Sequence, residues 1–277
     1  MGMDLAHQFF GGEGNPPLVI LHGLLGSSRN WTSVAKELAG HFEVYAVDLR
    51  NHGKSPHAAE MTYAALAEDV GEFLAARELD RPFLLGHSLG GKTAMRLACD
   101  GPDRLRGLIV VDIAPRDYAP HFREEFAAMN ELDLGGLGAR READEALAAR
   151  GVEDWAMRQF LLTNLERDEA SEGFRWQVNL RVLTEALPEL AKSSIGENER
   201  FGGPTLFLRG ENSDFVKDDD RPAITRHFPA SQLMTIADAA HNVHVQNKAA
   251  FVSAVAYFAE DVMGGASKEG TGGSCGI

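Results

Sequence analysis

Gly86-His87-Ser88-Leu89-Gly90 follows a short apolar run, Pro82 to Gly86, and opens a helical pattern, LGGKTAMRLACD. A serine in a G-x-S-x-G turn between a strand and a helix sits on a tight, strained bend, with its hydroxyl exposed at the helix start. Flanking side chains would collide there, which is why the chemistry demands glycines. The chemistry expected of Ser88 is nucleophilic attack, once a base has taken its proton. A Gly-rich turn without chemistry is disfavoured, because strand, turn and helix come in the required order. A dinucleotide-binding turn fails, since the G-x-G-x-x-G spacing is absent. The backbone N–H of Leu89, just after the serine, is a donor for a developing oxyanion, and one such donor is worth about 2.7–4 kcal/mol.

Histidine is the usual base, because its pKa lies near working pH. The chain holds ten histidines, so composition cannot choose among them. His241 and His244, in IADAAHNVHVQNKAAF, follow the last strand candidate, whereas His87 is too close in sequence to Ser88 to swing back onto it. Two carboxylates qualify as the acid that orients the base. Asp112 ends LIVVD, and Asp214 lies in RGENSDFV beyond TLFLR. Both stand where strands end at their carboxyl edge, the place at which ligand-binding groups of open parallel sheets gather.

The elements that must position these residues are legible as an alternation. Leu18 to His22, Glu43 to Asp48, Pro82 to Gly86, Leu108 to Asp112, Thr205 to Arg209 and Gln232 to Ile236 read as strands, and their unbroken apolar character predicts a parallel sheet covered on both faces. Between them run helical patterns such as TYAALAEDVGEFLAARE, with a Thr62 start and Leu66, Val70, Phe73 and Leu74 on one face. The fold class is α/β. From Arg116 to about Arg200 no strand is expected, and Phe122 to Leu132, Ala143 to Ala149, Asp154 to Leu165 and Trp176 to Leu187 read as helices. An insertion of that length between two strands reads as a functional lid. Its aromatic and apolar residues, Trp155 and Phe160 among them, would roof Ser88 and contact substrate. Its arginines, interleaved with Asp and Glu, read as a solvated mixed-charge face in preference to a phosphate site. The Gly-rich residues 264–277 read as a disordered tail.

LHGLLGSSRNW, VDLRNHGKSP, LLGHSLGGKTAM, VVDIAP and AAHNVH together resemble the α/β-hydrolase superfamily, and within it the small serine carboxylesterase and acyl-thioesterase branch. The resemblance covers nearly the whole chain apart from the tail. It implies an α/β-hydrolase fold with a mostly parallel central sheet, a core of 1–115 and 201–263, and a helical cap at 116–200 inserted after the sixth strand. It makes His241 the base, with His244 packing near the final helix, and Leu24 the second oxyanion donor through its N–H. His22 and Gly23 would support that turn, and Asp48, Arg50, His52 and Ser55 would tie loops together, with Asp48 and Arg50 a natural ion pair. The commoner acid position of the superfamily, three residues past Gly210, holds Ser213, a hydroxyl. Asp112 therefore becomes the favoured acid, Asp214 its rival and Ser213 a supporting group.

Composition bounds the rest. Apolar residues make up 44% and charged ones 25% of the 277 residues, ordinary for a globular chain, and a net charge of -14 repels nucleic acid. Cys99 and Cys275 form no disulfide framework, and a reducing, cytoplasmic setting fits. The opening MGMDLAHQFF lacks a basic region followed by an apolar run, so neither secretion nor a membrane span is expected. The expected reaction is cleavage of a small-molecule acyl ester or thioester through an acyl-enzyme, with no metal or organic cofactor needed. A C–C bond hydrolase or lyase using the same triad, or a non-catalytic receptor on the same scaffold, stand as alternatives. Acyl-chain preference and oligomeric state are not legible.

Overall fold

Leu18, Val19, Ile20 and Leu21 are all fully buried, as are Leu108 to Val111, so neither face of these segments meets water. A computed structural model describes residues 3–119, 121–168 and 173–269, and in it such runs lie side by side in one sheet. In chain order the elements are β1 (His7–Phe9), β2 (Pro17–Leu21), α1 (Thr32–Leu38), β3 (Glu43–Val47), α2 (Tyr63–Ala76), β4 (Phe83–His87), α3 (Leu89–Asp100) and β5 (Gly107–Val111). The insertion then supplies α4 (Arg123–Asn130), α5 (Arg140–Ala149), α6 (Trp155–Leu162), β6 (Leu165–Arg167), β7 (Phe174–Trp176) and α7 (Leu180–Leu190). The chain returns with β8 (Thr205–Gly210), α8 (Arg221–His227), β9 (Ser231–Ile236), α9 (Val243–Gln246) and α10 (Lys248–Glu269).

The sheet order is β1-β3-β2-β4-β5-β8-β9, parallel throughout except for β1, which pairs antiparallel with β3. Side chains alternate between the two faces with the strand period of two. Val19, Leu21, Leu84, Leu108 and Val110 pack against Val70 and Phe73 of α2 and Met95 and Ala98 of α3. Leu18, Ile20, Leu85, Ile109 and Val111 pack on the other side against Val34 and Leu38 of α1 and Phe251, Val255 and Phe258 of α10. Each such large apolar side chain contributes about 1.5–3 kcal/mol by leaving water. The Thr62 hydroxyl caps α2 by accepting from the Ala65 amide at 3.2 Å, so that helix starts where its sequence predicts.

Three expectations need correction. The insertion follows the fifth strand in chain order, not a sixth, because a single short strand precedes β2. The insertion is not purely helical: β6 and β7 pair antiparallel, Leu165 opposite Trp176, in three-residue strands too short to leave a periodic run. The last helix continues to Glu269, so residues 264–269 extend α10, while 270–277 of the expected tail lie outside the described residues. Among the described residues no helix is long and apolar enough to cross a membrane.

The strand order reverses between β2 and β4, and the crevice outside such a reversal is where open α/β sheets bind ligands. The turn after β2 carries Leu24 and the turn after β4 carries Ser88. Asp112 and His241 follow β5 and β9 at the same carboxyl edge.

Candidate active site

Ser88 links β4 to α3 with φ 52° and ψ −113°, a conformation that costs a non-glycine residue on the order of 1–3 kcal/mol. The surroundings hold it there. Its N–H donates to the Val111 carbonyl at 3.1 Å, and its carbonyl accepts from the Lys92 amide at 3.0 Å. The flanking glycines are required by close approach: a Cβ on Gly86 would lie 2.2 Å from the Gly90 oxygen, and one on Gly90 would lie 2.5 Å from the Leu21 oxygen. The elbow is thereby pressed onto the end of β2. As the first residue of α3, Leu89 has an N–H without an intrahelical acceptor. Across the crevice, the Gly26 amide donates to the Gly23 carbonyl at 3.0 Å and Leu25 takes φ 60°, closing the turn that carries Leu24.

Asp112 is fully buried and takes φ 51° at the end of β5. Its Oδ1 accepts from the Gly210 amide at 3.1 Å, and its Oδ2 accepts from His241 Nδ1 at 2.8 Å and from the Ser213 hydroxyl. With Nδ1 committed to the carboxylate, Nε2 is the ring nitrogen of His241 left for chemistry. Two neighbours fix the ring and its loop. Phe215 stacks on it with centroids 3.8 Å apart and planes at 20°, and His87 Nε2 donates to the His241 carbonyl at 2.9 Å. Burial holds the His87 pKa well below its ordinary value, and the neighbouring His241 and His244 add to the effect, so His87 is a neutral donor. Asp214 points away: its side chain is 94% exposed and pairs with Lys217 at 3.1 Å. The geometry thus brings Asp112, His241 and Ser213 together and leaves Asp214 out.

The supporting motifs settle differently from one expectation. His22 Nδ1 donates to the Gly23 carbonyl at 2.8 Å while its Nε2 accepts from the Leu49 amide at 3.0 Å, a neutral ring bracing the turn. Arg50, however, forms its ion pair with Asp69, through contacts of 2.6 and 2.8 Å, and not with Asp48. Asp48 instead accepts from the backbone amides of Ser28 and Lys54 at 2.6 and 2.9 Å, tying two loops that an arginine pair would not reach.

Comparison with known proteins adds the decisive observation. Residues 16–248 match the family model described as "alpha/beta hydrolase fold". The chain is 37% identical to sn-1-specific diacylglycerol lipase ABHD11 of Danio rerio over 92% of this chain and 82% of that protein, and 33% identical to Esterase YbfF of Escherichia coli (strain K12) over 89% and 94%. Among solved structures, a marine microorganism esterase superposes with a TM-score of 0.88 at 38% identity, covering 93% of this chain and all of that one. The chain is an α/β-hydrolase of the esterase and lipase branch.

The hydrolase has a two-lobed cavity meeting at Ser88. One lobe, about 60 Å³, is walled mainly by Tyr63, Leu89, Ile113, Leu187, Leu190 and Phe215. The other, about 490 Å³, is walled by His241, His244, Asn242, Phe160, Glu125 and Asp154 among others. Leu24, His121, Phe122 and Phe215 face both. Phe160 lines the larger lobe, but Trp155 lines neither. It is 65% exposed, because as the first residue of α6 it stands on the outer side of a helix whose Ala156, Met157 and Phe160 turn inward. His244 packs as expected, stacked on Trp31 at 3.9 Å, with burial pulling its pKa down to about 3.

Sequence reasoning missed Phe215, Tyr118 and Lys92. Phe215 sits inside the RGENSDFV segment already singled out, but nothing local says that its ring covers His241. Tyr118 accepts from the Ala114 amide at 2.8 Å and donates to the Phe215 carbonyl at 2.7 Å, so it holds that ring in place. Lys92 offered a signal: a lysine one turn after Ser88 on a helix packed against the sheet. It is 2% exposed, and burial pulls its ammonium down to about 8.

Proposed function

We propose that this hydrolase cleaves carboxylic esters through an acyl-enzyme, with Ser88 as nucleophile, His241 as base, Asp112 as the orienting acid, and the amides of Leu24 and Leu89 as oxyanion donors. The observation that carries the reading is the 2.8 Å contact between His241 Nδ1 and the fully buried Asp112, made by a histidine that shares a cavity with Ser88. His241 Nε2 takes the hydroxyl proton as Ser88 Oγ bonds to the carbonyl carbon. The oxyanion collapses, the bond to the leaving oxygen breaks, and His241 returns the proton to that oxygen. Water then repeats the sequence on the acyl-enzyme and releases the acid.

The same proton transfer assigns the lobes. The leaving group must lie beside His241, so the larger lobe holds the alcohol portion and the smaller apolar lobe holds the acyl group. Glu125 and Asp154 on the wall of the larger lobe, and a net charge of -14, favour neutral alcohols over a polyanionic coenzyme A thioester. Four arginines of the insertion are already engaged: Arg141, Arg158, Arg175 and Arg181 pair with Glu145, Asp144, Glu166 and Glu185. The insertion serves as the lid of both lobes, through Phe122, Phe160, Leu187 and Leu190.

The test is pre-steady-state release of p-nitrophenol from a short acyl ester. A burst of one equivalent per chain, abolished in Ser88→Ala, is expected, and equal turnover in the variant would sink the assignment. A panel of esters, acyl-coenzyme A thioesters and vinylogous diketones separates ester hydrolysis from thioester and C–C cleavage.

A further inference from the structure

Lys92 is a buried cation that the triad does not use. It lies on α3 one turn after Ser88, with its amide bonded to the Ser88 carbonyl. Among the described residues no carboxylate forms an ion pair with it, although lysine is almost never buried unpaired. Its ammonium instead meets three backbone carbonyls at the end of α7, those of Leu190 at 3.5 Å, Ala191 at 3.1 Å and Lys192 at 2.5 Å. Three donors for three acceptors leave none for a substrate.

The position is also electrostatically apt. The last carbonyls of a helix lack intrahelical donors and carry the negative end of its dipole, so a cation is favoured there. Neighbouring donors converge on the same groups: the Tyr63 hydroxyl on the Leu190 carbonyl at 2.6 Å, and the Tyr118 amide on the Ala191 carbonyl at 2.8 Å. The Tyr118 and Tyr63 rings flank the ammonium, with centroids 4.9 and 5.6 Å away. A methionine would fill the same space and leave buried carbonyls without this donor.

What the lysine holds is a wall of the acyl lobe. Leu187, Leu190 and Ala191 line that lobe, and Lys92 lines it too, opposite them on the nucleophile helix. We propose that Lys92 is a positioning residue that clamps the end of α7 over Ser88 and thereby sets the acyl-chain selectivity of the enzyme. The proposal rests on the acyl-enzyme reading and on the assignment of the smaller lobe to the acyl group. A rigid wall discriminates between acyl chains, since one methylene in an apolar pocket is worth about 10- to 200-fold in kcat/KM. A wall that can retreat loses that discrimination.

The experiment measures kcat/KM on p-nitrophenyl acetate, butyrate, octanoate and dodecanoate for wild type and Lys92→Met, with hydrogen exchange of the amides from 187 to 195. In the variant the butyrate-to-dodecanoate ratio should fall by about ten-fold or more, mainly through KM, with faster exchange at the end of α7. A uniform loss across the series, or an unchanged ratio, overturns the proposal. Should Lys92→Met not fold, Tyr63→Phe removes the second side-chain donor to the Leu190 carbonyl and must shift the ratio in the same direction, by about three-fold or more; no shift overturns the proposal equally. A missing nitrophenol burst in wild type would instead strike the acyl-enzyme reading, so the two failures are distinguishable.

Discussion

Asp112 Oδ2 receives both His241 and Ser213, and that one oxygen explains the unusual segment beyond β8. Counting along the chain puts a hydroxyl in the customary acid seat, and the fold lets that hydroxyl donate to a carboxylate from the adjoining strand. Sequence left the choice between Asp112 and Asp214 open, because a side chain's direction after a turn is set by backbone torsions that spacing does not encode. Asp112 at φ 51° turns inward, while Asp214 is left in solvent. Asp112→Asn should lower kcat by about 10⁴ with the fold retained, because the amide no longer stabilises the imidazolium. Asp214→Asn should leave kcat within about two-fold, as exposed ion pairs contribute little. The reverse pattern in steady-state rates would transfer the role to Asp214. Ser213→Ala removes one charge-assisted bond while Gly210 and His241 still hold the carboxylate. About ten-fold in kcat is the expected loss, since such bonds are worth about 1.5–3 kcal/mol where nothing replaces them.

The strands β2, β4 and β5 were legible because their apolar runs are unbroken, and α2 because its Thr62 cap and apolar face are regular. The insertion was legible in extent but not in detail. Three-residue strands leave no periodic pattern, and a tryptophan at a helix start gives no sign of which way it faces. At the elbow, by contrast, the sequence states its geometry through its glycines. Gly→Ala inside a helix ordinarily stabilises by up to about 1 kcal/mol. At Gly90 the sign should reverse: a methyl would meet the Leu21 and His22 carbonyls at 2.5 and 2.6 Å, backbone atoms that cannot rotate aside. Gly90→Ala should cost about 1–3 kcal/mol as overpacking. It should also lower kcat, because relief of the clash moves the turn that carries Leu24. Unfolding in urea and burst amplitude measure the two effects; a variant as stable as wild type would mean that α3 tolerates displacement from β2.

At the scale of the molecule, the crevice gathers histidines that the fold keeps neutral, and this makes acid a specific threat. Burial pulls His52 and His244 down to about 3, and it lowers His22 and His87 as well. An unfolded histidine titrates near 6.5, so below that pH the unfolded chain binds protons that the folded chain refuses. The sign follows: the stability is fully present above pH 6.5 and is lost progressively as pH falls towards about 3. Each such site contributes a slope of about 1.4 kcal/mol per pH unit, so His52 and His244 together contribute about 2.7 kcal/mol for each pH unit within that window. Titrating carboxylates add to the same trend, and a variant separates them. His244→Phe keeps an aromatic ring against Trp31, which lies 3.9 Å from the imidazole, and removes the titration. Urea midpoints measured from about pH 7 to 4.5 should fall less steeply in His244→Phe than in wild type, by about one histidine's slope. Equal slopes would mean that His244 is already open to protons in the folded state, and that the Trp31 stack does not seal the histidine side of the larger lobe from water.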